Sequence, residues 1–251
     1  MNSVATGFIV LVCVFGGALL GMFLRTVLPK HHLDSETKDV VKLGMGLVGT
    51  MAALILGLLV SSAKGAYDAQ SAELTQVSAN ILMLDRVLSH YGPETNEARV
   101  ALKGAVVRAL DRMWAQGRRA HSQVDLGSHS NESLYEKIHE LSPKDEAQRS
   151  LKSEGLSIAL SLGQTRWLMY EQQATSASKP LVIVMVFWLT VIFGSWGLFA
   201  PTNGTVIATF FAAGLSVSGA IFLILEMYAP YSGLIQVSSA PLRAALAQLG
   251  Q

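Results

Sequence analysis

Not one charged side chain occurs between Lys179 and Glu226. Pro201-Thr-Asn-Gly204 divides this stretch into two uncharged runs, residues 180–200 and 205–225. About 20 apolar residues of helix, rising 1.5 Å apiece, cross a hydrocarbon core of about 30 Å. A four-residue uncharged turn can lie in the interface between two such helices. The stretch therefore reads as a transmembrane hairpin, and it fixes the solvent in which the rest of the chain folds.

Two further runs match it. Residues 1–24 carry no charge and are closed by Arg25; residues 43–63 carry none and are bracketed by Lys42 and Lys64. One such run could be a buried core helix. Four of them, in a chain whose residues are 51% hydrophobic, point to four membrane spans. The first run lacks the Lys/Arg start of a signal peptide, and its apolar stretch is too long for one. With a single cysteine, Cys13, no intrachain disulfide can form. The net charge of +1 speaks against a nucleic-acid partner.

The charge is concentrated in residues 64–179, which hold 14 Lys/Arg and 14 Asp/Glu. The layout is then a first helix pair (1–63), a water-facing insert (64–179), a second hairpin (180–228) and a tail (229–251). The fold class expected is all-α. Leu74, Val77, Ile81, Leu84, Leu88 and Tyr91 repeat at intervals of three and four, a heptad seam that predicts assembly through this stalk. No breaker lies between Ala63 and Tyr91, so the second span is expected to continue as one helix from about residue 40 to Gly92-Pro93. Leu102, Val106, Leu110 and Met113 predict a second helix, and Leu134, Ile138 and Leu141 a short third one. Ser142-Pro-Lys-Asp145 reads as the capped start of a helix running towards the third span.

Gly49, Ala53, Gly57, Ser61 and Gly65 fall every fourth residue on the second span, with Thr50 beside them. Small residues at that spacing let another helix approach closely. Packing inside the protomer and lining of a pore are both open readings of this ridge. Ala208, Ala212, Ser216 and Ala220 predict a packing ridge on the fourth span, and Gly17 and Gly21 one on the first. No span has an ionisable residue near its centre, which argues against a pump or ion-coupled transporter and leaves room for a passive pore. Arg25, Lys64, Lys179 and Glu226 stand at span ends. Arg25 is expected to reach headgroups or Asp34, Glu36 or Asp39, and Glu226 to pair with Lys64 or Lys179. Trp167 and Tyr170 suit either an interfacial anchor or core packing. His31-His32 is a poor metal pair, because adjacent helical residues diverge and no third ligand lies near. Arg118-Arg119 suits the end of a helix. No phosphate loop, nucleophile elbow or H-E-x-x-H is found, so nothing suggests an enzyme, a cofactor or a metal.

The most specific stretch is Glu226-Met-Tyr-Ala-Pro230-Tyr-Ser-Gly233-Leu-Ile-Gln-Val-Ser-Ser-Ala-Pro241-Leu-Arg. It resembles the segment after the last membrane helix in the bacterial bestrophin-like family, formally of unknown function and grouped with the bestrophin anion channels. Glu226, Pro230, Tyr231, Gly233, Leu234-Ile235 and Pro241 carry the resemblance. The acid and base that often precede the proline are replaced here by Tyr228 and Ala229. The resemblance implies two spans, a helical insert and two more spans. It implies a homo-oligomer, a pentamer being the number suggested, with the second span around a central pore. It also implies a cytoplasmic insert and termini in a bacterial inner membrane, where the charges flanking the spans are evenly divided. No dense acidic cluster matches a calcium clasp. The reading reached is a passive channel for small ions, anions slightly favoured, whose partners are the lipid bilayer and copies of itself. The rival is a non-conducting scaffold or sensor whose stalk binds a partner. The motor-stator type of proton-channel subunit shares the layout but not the sequence. Independently of the family, Pro230 and Gly233 turn the chain back, and Ser239 is expected to cap a short helix bearing Leu242, Leu246 and Leu249.

Overall fold

The structure, a computed structural model, describes residues 3–29, 33–115, 129–174, 179–231 and 233–250. Eight α-helices occur among them and no strand: α1 (Ser3–Val27), α2 (Ser35–Tyr91), α3 (Asn96–Ala115), α4 (His129–His139), α5 (Glu146–Ala174), α6 (Lys179–Phe199), α7 (Gly204–Met227) and α8 (Ala240–Gln248). Four are long and apolar enough to cross a membrane: α1, α2, α6 and α7. The chain forms two compact units, residues 1–66 with 176–228 and residues 67–175 with 229–251. Helix α2 contributes to both.

In the membrane unit, α1 packs on α6 and α7. The contact face of α1 is Val10, Val14, Ala18 and Met22, each at most 4% exposed. Small residues bring the backbones together, as expected of Gly17 and Gly21. A Cβ on Gly21 would fall 2.0 Å from the Gly194 carbonyl oxygen, and one on Gly17 2.8 Å from that of Thr190. Gly197 answers from α6, where a Cβ would lie 2.1 Å from the Ala18 carbonyl. On the α7 side the Ser218 hydroxyl donates to the Gly7 carbonyl at 2.6 Å. The expected ridge on the fourth span is displaced. Phe210, Gly214, Ser218 and Ile221 are buried, whereas Ala208, Ala212 and Ser216 are exposed. The α6–α7 turn is closed by Asn203, whose side chain accepts from Val206 N–H at 2.9 Å as an N-cap.

In the second unit the heptad seam of α2 is internal. Leu74, Ile81, Leu84, Leu88 and Tyr91 are at most 5% exposed and form one core with Leu102 and Val106 of α3, Leu134 and Ile138 of α4, and Leu242 and Ala245 of α8. The seam therefore does not serve assembly: periodicity marked a buried face, and the unit's own helices bury it. Gly92 ends α2 at φ +131°, a conformation that favours glycine. Thr95, fully buried, donates its hydroxyl proton to the Leu88 carbonyl (2.6 Å) or the Gly92 carbonyl (2.8 Å). The start of α5 is three residues later than expected. Asp145, not Ser142, is the N-cap, its Oδ1 accepting from Gln148 N–H at 2.7 Å. Gln148 in turn donates to the Tyr91 carbonyl at 2.9 Å and fastens α5 to the end of α2.

Candidate functional site

The membrane stretch of α2 has three faces. One joins the core through Met45, Val48, Ala52, Ile55, Leu59 and Ala63. A second is a leucine stripe, Leu43, Leu47, Leu54 and Leu58, each 66% exposed or more. Between them, on one flank, runs the small-residue ridge. Gly49 is half-buried; Thr50, Ala53, Gly57 and Ser61 are exposed. A Cβ on Gly49, Gly57 or Gly65 would have no neighbour within 4 Å. Among the described residues nothing packs on these three glycines, in contrast to Gly17 and Gly21 with the same spacing. Thr50 donates its hydroxyl proton to the Leu47 carbonyl at 2.7 Å, which leaves its oxygen lone pairs on this open flank.

The span ends are tied down by polar contacts. Arg25, at the end of α1, donates from its guanidinium to the Ala200 carbonyl at the end of α6. Its positive charge thereby sits at the negative end of a helix. Asp39 pairs with Lys42 at 3.9 Å, and Asp34 caps α2 by accepting from Thr37 N–H at 2.8 Å. At the opposite end Glu226 is 3% exposed in the last turn of α7, and Lys64 is exposed. Two residues on, Tyr228 donates to the Ser62 hydroxyl at 2.9 Å and fixes the end of α7 to α2. A tyrosine thus makes a neutral tether where the family pattern often has a charge. Lys179 opens α6; its side chain, the side chain of Tyr170, and His31, His32, Arg118 and Arg119 lie outside the described residues. Trp167 is 69% exposed, which removes the core reading for it.

The motif after α7 is built into the second unit. Pro230 is buried, and its carbonyl accepts from Val237 N–H at 2.8 Å, closing a loop. Gly233 holds φ +95° inside that loop. Tyr231 packs edge-on against Trp114, with centroids 5.8 Å apart. Trp114 Nε1 donates to the Val237 carbonyl at 3.1 Å, and Tyr67 to that of Gln236 at 3.2 Å. These two aromatic donors were not singled out from the sequence, where each reads as ordinary core. Pro241 sits in the first turn of α8, as a preset φ favours. Ser239 makes no side-chain cap; the neighbouring Ser238 accepts from Ala240 N–H at 3.2 Å instead. Leu242, Ala245 and Leu249 dock α8 in the core.

Beyond α8, Gly250 N–H donates at 3.3 Å to Asp85, which holds Arg99 in a two-pronged ion pair at 2.7 and 3.0 Å. Burial pushes the Asp85 carboxyl up, but the bonds from Arg99 and Gly250 outweigh it and hold the group below its usual range. No group of three or more His, Cys, Asp or Glu able to hold a metal occurs among the described residues.

No curated protein and no solved structure matches the chain. The model of the bestrophin-like domain matches residues 12–242. That range takes in most of α1, the other three apolar helices, the helical insert and the Pro230–Pro241 motif. With four spans and a match over nearly its whole length, this multi-pass membrane protein belongs to the bestrophin-like domain family.

Proposed function

We propose that the chain is one subunit of a homo-oligomeric passive channel of the bacterial inner membrane, its conduction path lined by the Gly49, Thr50, Ala53, Gly57 and Ser61 flank of α2. The single observation that carries this is the bare ridge. Glycines on a lipid-facing helix expose backbone carbonyls to hydrocarbon, where leucine would shield them. A flank of glycine and hydroxyl residues, unused by its own protomer, suits water or a close neighbour better than lipid. The absence of ionisable residues in mid-span fits passive conduction rather than ion coupling. The family's link with anion channels favours anions slightly, and supports a cytoplasmic insert with both termini on the same side.

The test is flux of reconstituted protein in liposomes. Gly57→Leu narrows the path and should reduce flux sharply at unchanged oligomer mass. Wild-type protein silent under every ion gradient, voltage and osmotic step would overturn the channel. Orientation is checked separately: with Cys13→Ser as background, a cysteine replacing the exposed Lys103 should resist an impermeant thiol reagent in intact cells.

A second reading, a non-conducting scaffold or sensor, is favoured by the apolar residues that the second unit leaves in the open. Val100 is 71%, Leu160 53% and Trp167 69% exposed. A single-particle image separates the two: a ring with a continuous axial path supports the channel, a monomer or closed dimer the scaffold.

A further inference from the structure

The helices of the membrane unit are joined in two ways. The backbones of α1 and α6 meet at Gly17, Gly21 and Gly197, and Ser218 of α7 bonds the Gly7 carbonyl. Backbone contacts of this kind leave little freedom to turn. Helix α2 is held otherwise. A Cβ on Gly44, Gly46, Gly49, Gly57 or Gly65 would meet no described atom within 4 Å. In the protomer 11% of the apolar window of α2 is buried, against 39% for α1. Side chains along one stripe, with Ala52, Leu59 and Ala63 at its centre, carry its grip on the core.

A helix resting on one stripe can roll about it. A bond to the side of the stripe stops the roll, and Tyr228 makes one: its hydroxyl donates to Ser62 Oγ at 2.9 Å. Tyr228 is itself firmly placed. Its N–H donates to the Ile224 carbonyl at 3.3 Å at the end of α7, and its ring packs on the membrane core. At about 100° per residue, Ser62 stands about 60° round α2 from Leu59 and about 100° from Ala63. It stands about 140° from Gly49 and Gly57 and about 180° from Ala53. Tyr228 therefore grips α2 from the side opposite the small-residue flank.

We propose that Tyr228 is a positioning residue, whose bond to Ser62 fixes the rotation of α2 and so the direction in which the Gly49–Ser61 flank faces. Its consequence for conduction rests on the reading of that flank as the path; the rotation itself does not. One net hydrogen bond is equivalent to about a two- to tenfold shift in a population. Loss of the Tyr228 hydroxyl should lower flux by about that factor at unchanged oligomer mass.

The experiment measures rotation and flux separately, on the full-length protein in bilayers. With Cys13→Ser as background, single nitroxide labels are attached through Ala53→Cys, Leu54→Cys, Gly57→Cys and Leu58→Cys, all at exposed positions. Collision rates with oxygen and with a water-soluble nickel chelate are read at each. Their ratio reports what each face of α2 meets, be it water, lipid or a second copy. Tyr228→Phe, which keeps the ring, and Ser62→Ala should each move the pattern the same way round α2. The double variant should move it no further, since both remove one bond. Flux of the unlabelled variants should fall with the shift. A pattern unchanged in both single variants would overturn the positioning role and leave the channel reading intact. So would additive shifts in the double variant. A moved pattern with unaltered flux would uphold Tyr228 as the positioning residue and remove the flank from the path. A moved pattern in a protein whose parent never conducts would uphold it too, and overturn the channel reading alone.

Discussion

Glycines at the same four-residue spacing on α1 and α2 have opposite surroundings, and alanine substitution should separate them. At Gly21 the added Cβ would lie 2.0 Å from the Gly194 carbonyl oxygen and 2.9 Å from Leu198 N. Both are backbone atoms, so no rotamer change relieves the overlap. Real Cβ atoms essentially never come within 3.0 Å of another heavy atom, so α1 and α6 must part by about an ångström along a face that also buries Val14, Ala18 and Met22. Overpacking of this kind costs about 1–3 kcal/mol, and the lost contacts of the neighbouring turns push Gly21→Ala to the upper end. For a chain of this size that is a fall in melting temperature of about 5–10 °C. At Gly57 the Cβ meets nothing within 4 Å, and alanine is the better helix former by about 0.5–1 kcal/mol. Gly57→Ala should therefore be neutral or raise the melting temperature by a few degrees. The assay is thermal unfolding in detergent, followed by tryptophan fluorescence. A Gly21→Ala protein as stable as the parent would refute the close backbone contact. A Gly57→Ala protein destabilised as much as Gly21→Ala would refute the open ridge.

Replacing both Ile81 and Leu84 with Asp puts two charges into a closed core, so the second unit should unfold outright, seen as rapid proteolysis within residues 67–175. A folded protein with smaller oligomers would restore the seam to an assembly role. Asp85→Asn leaves the buried guanidinium of Arg99 without its counter-charge and should cost about 3 kcal/mol, the low end for a buried pair because Arg99 keeps some solvent. The pH dependence follows in sign. The folded Asp85 carboxyl titrates below its usual value, so the pair's contribution is complete above about pH 4 and is lost as the pH falls through the lower folded value. Stability of Asp85→Asn should lack that component of acid sensitivity.

The spans were legible because charge is so costly in hydrocarbon that its absence alone marks them. Which face of each span packs was not. Lipid accepts apolar side chains on every side, so Ala208, Ala212 and Ser216 looked as able to pack as Gly214, and only Gly214 sits against α1. The heptad residues of α2 showed that a face is buried but not what buries it. The α5 start was misplaced because Ser142-Pro143 satisfies the same rules as Asp145, and the choice depends on Gln148 reaching back to Lys144 N–H and across to Tyr91. The candidate ridge could be read from spacing; that no described residue meets its glycines could not.

The second unit is assembled from two stretches of chain, and α8 supplies Leu242, Ala245 and Leu249 to a core begun at Leu74. Between those stretches lie both helices of the α6–α7 hairpin. A ribosome therefore makes residues 67–175 and leaves them with an open groove while the hairpin is synthesised. At about 5–20 residues per second the wait is seconds long. The unit can close only once residues beyond 240 emerge, so a chain cut short after α7 would present that groove to chaperones and proteases. Completion of the polar half thus becomes a check that the last span has already been made.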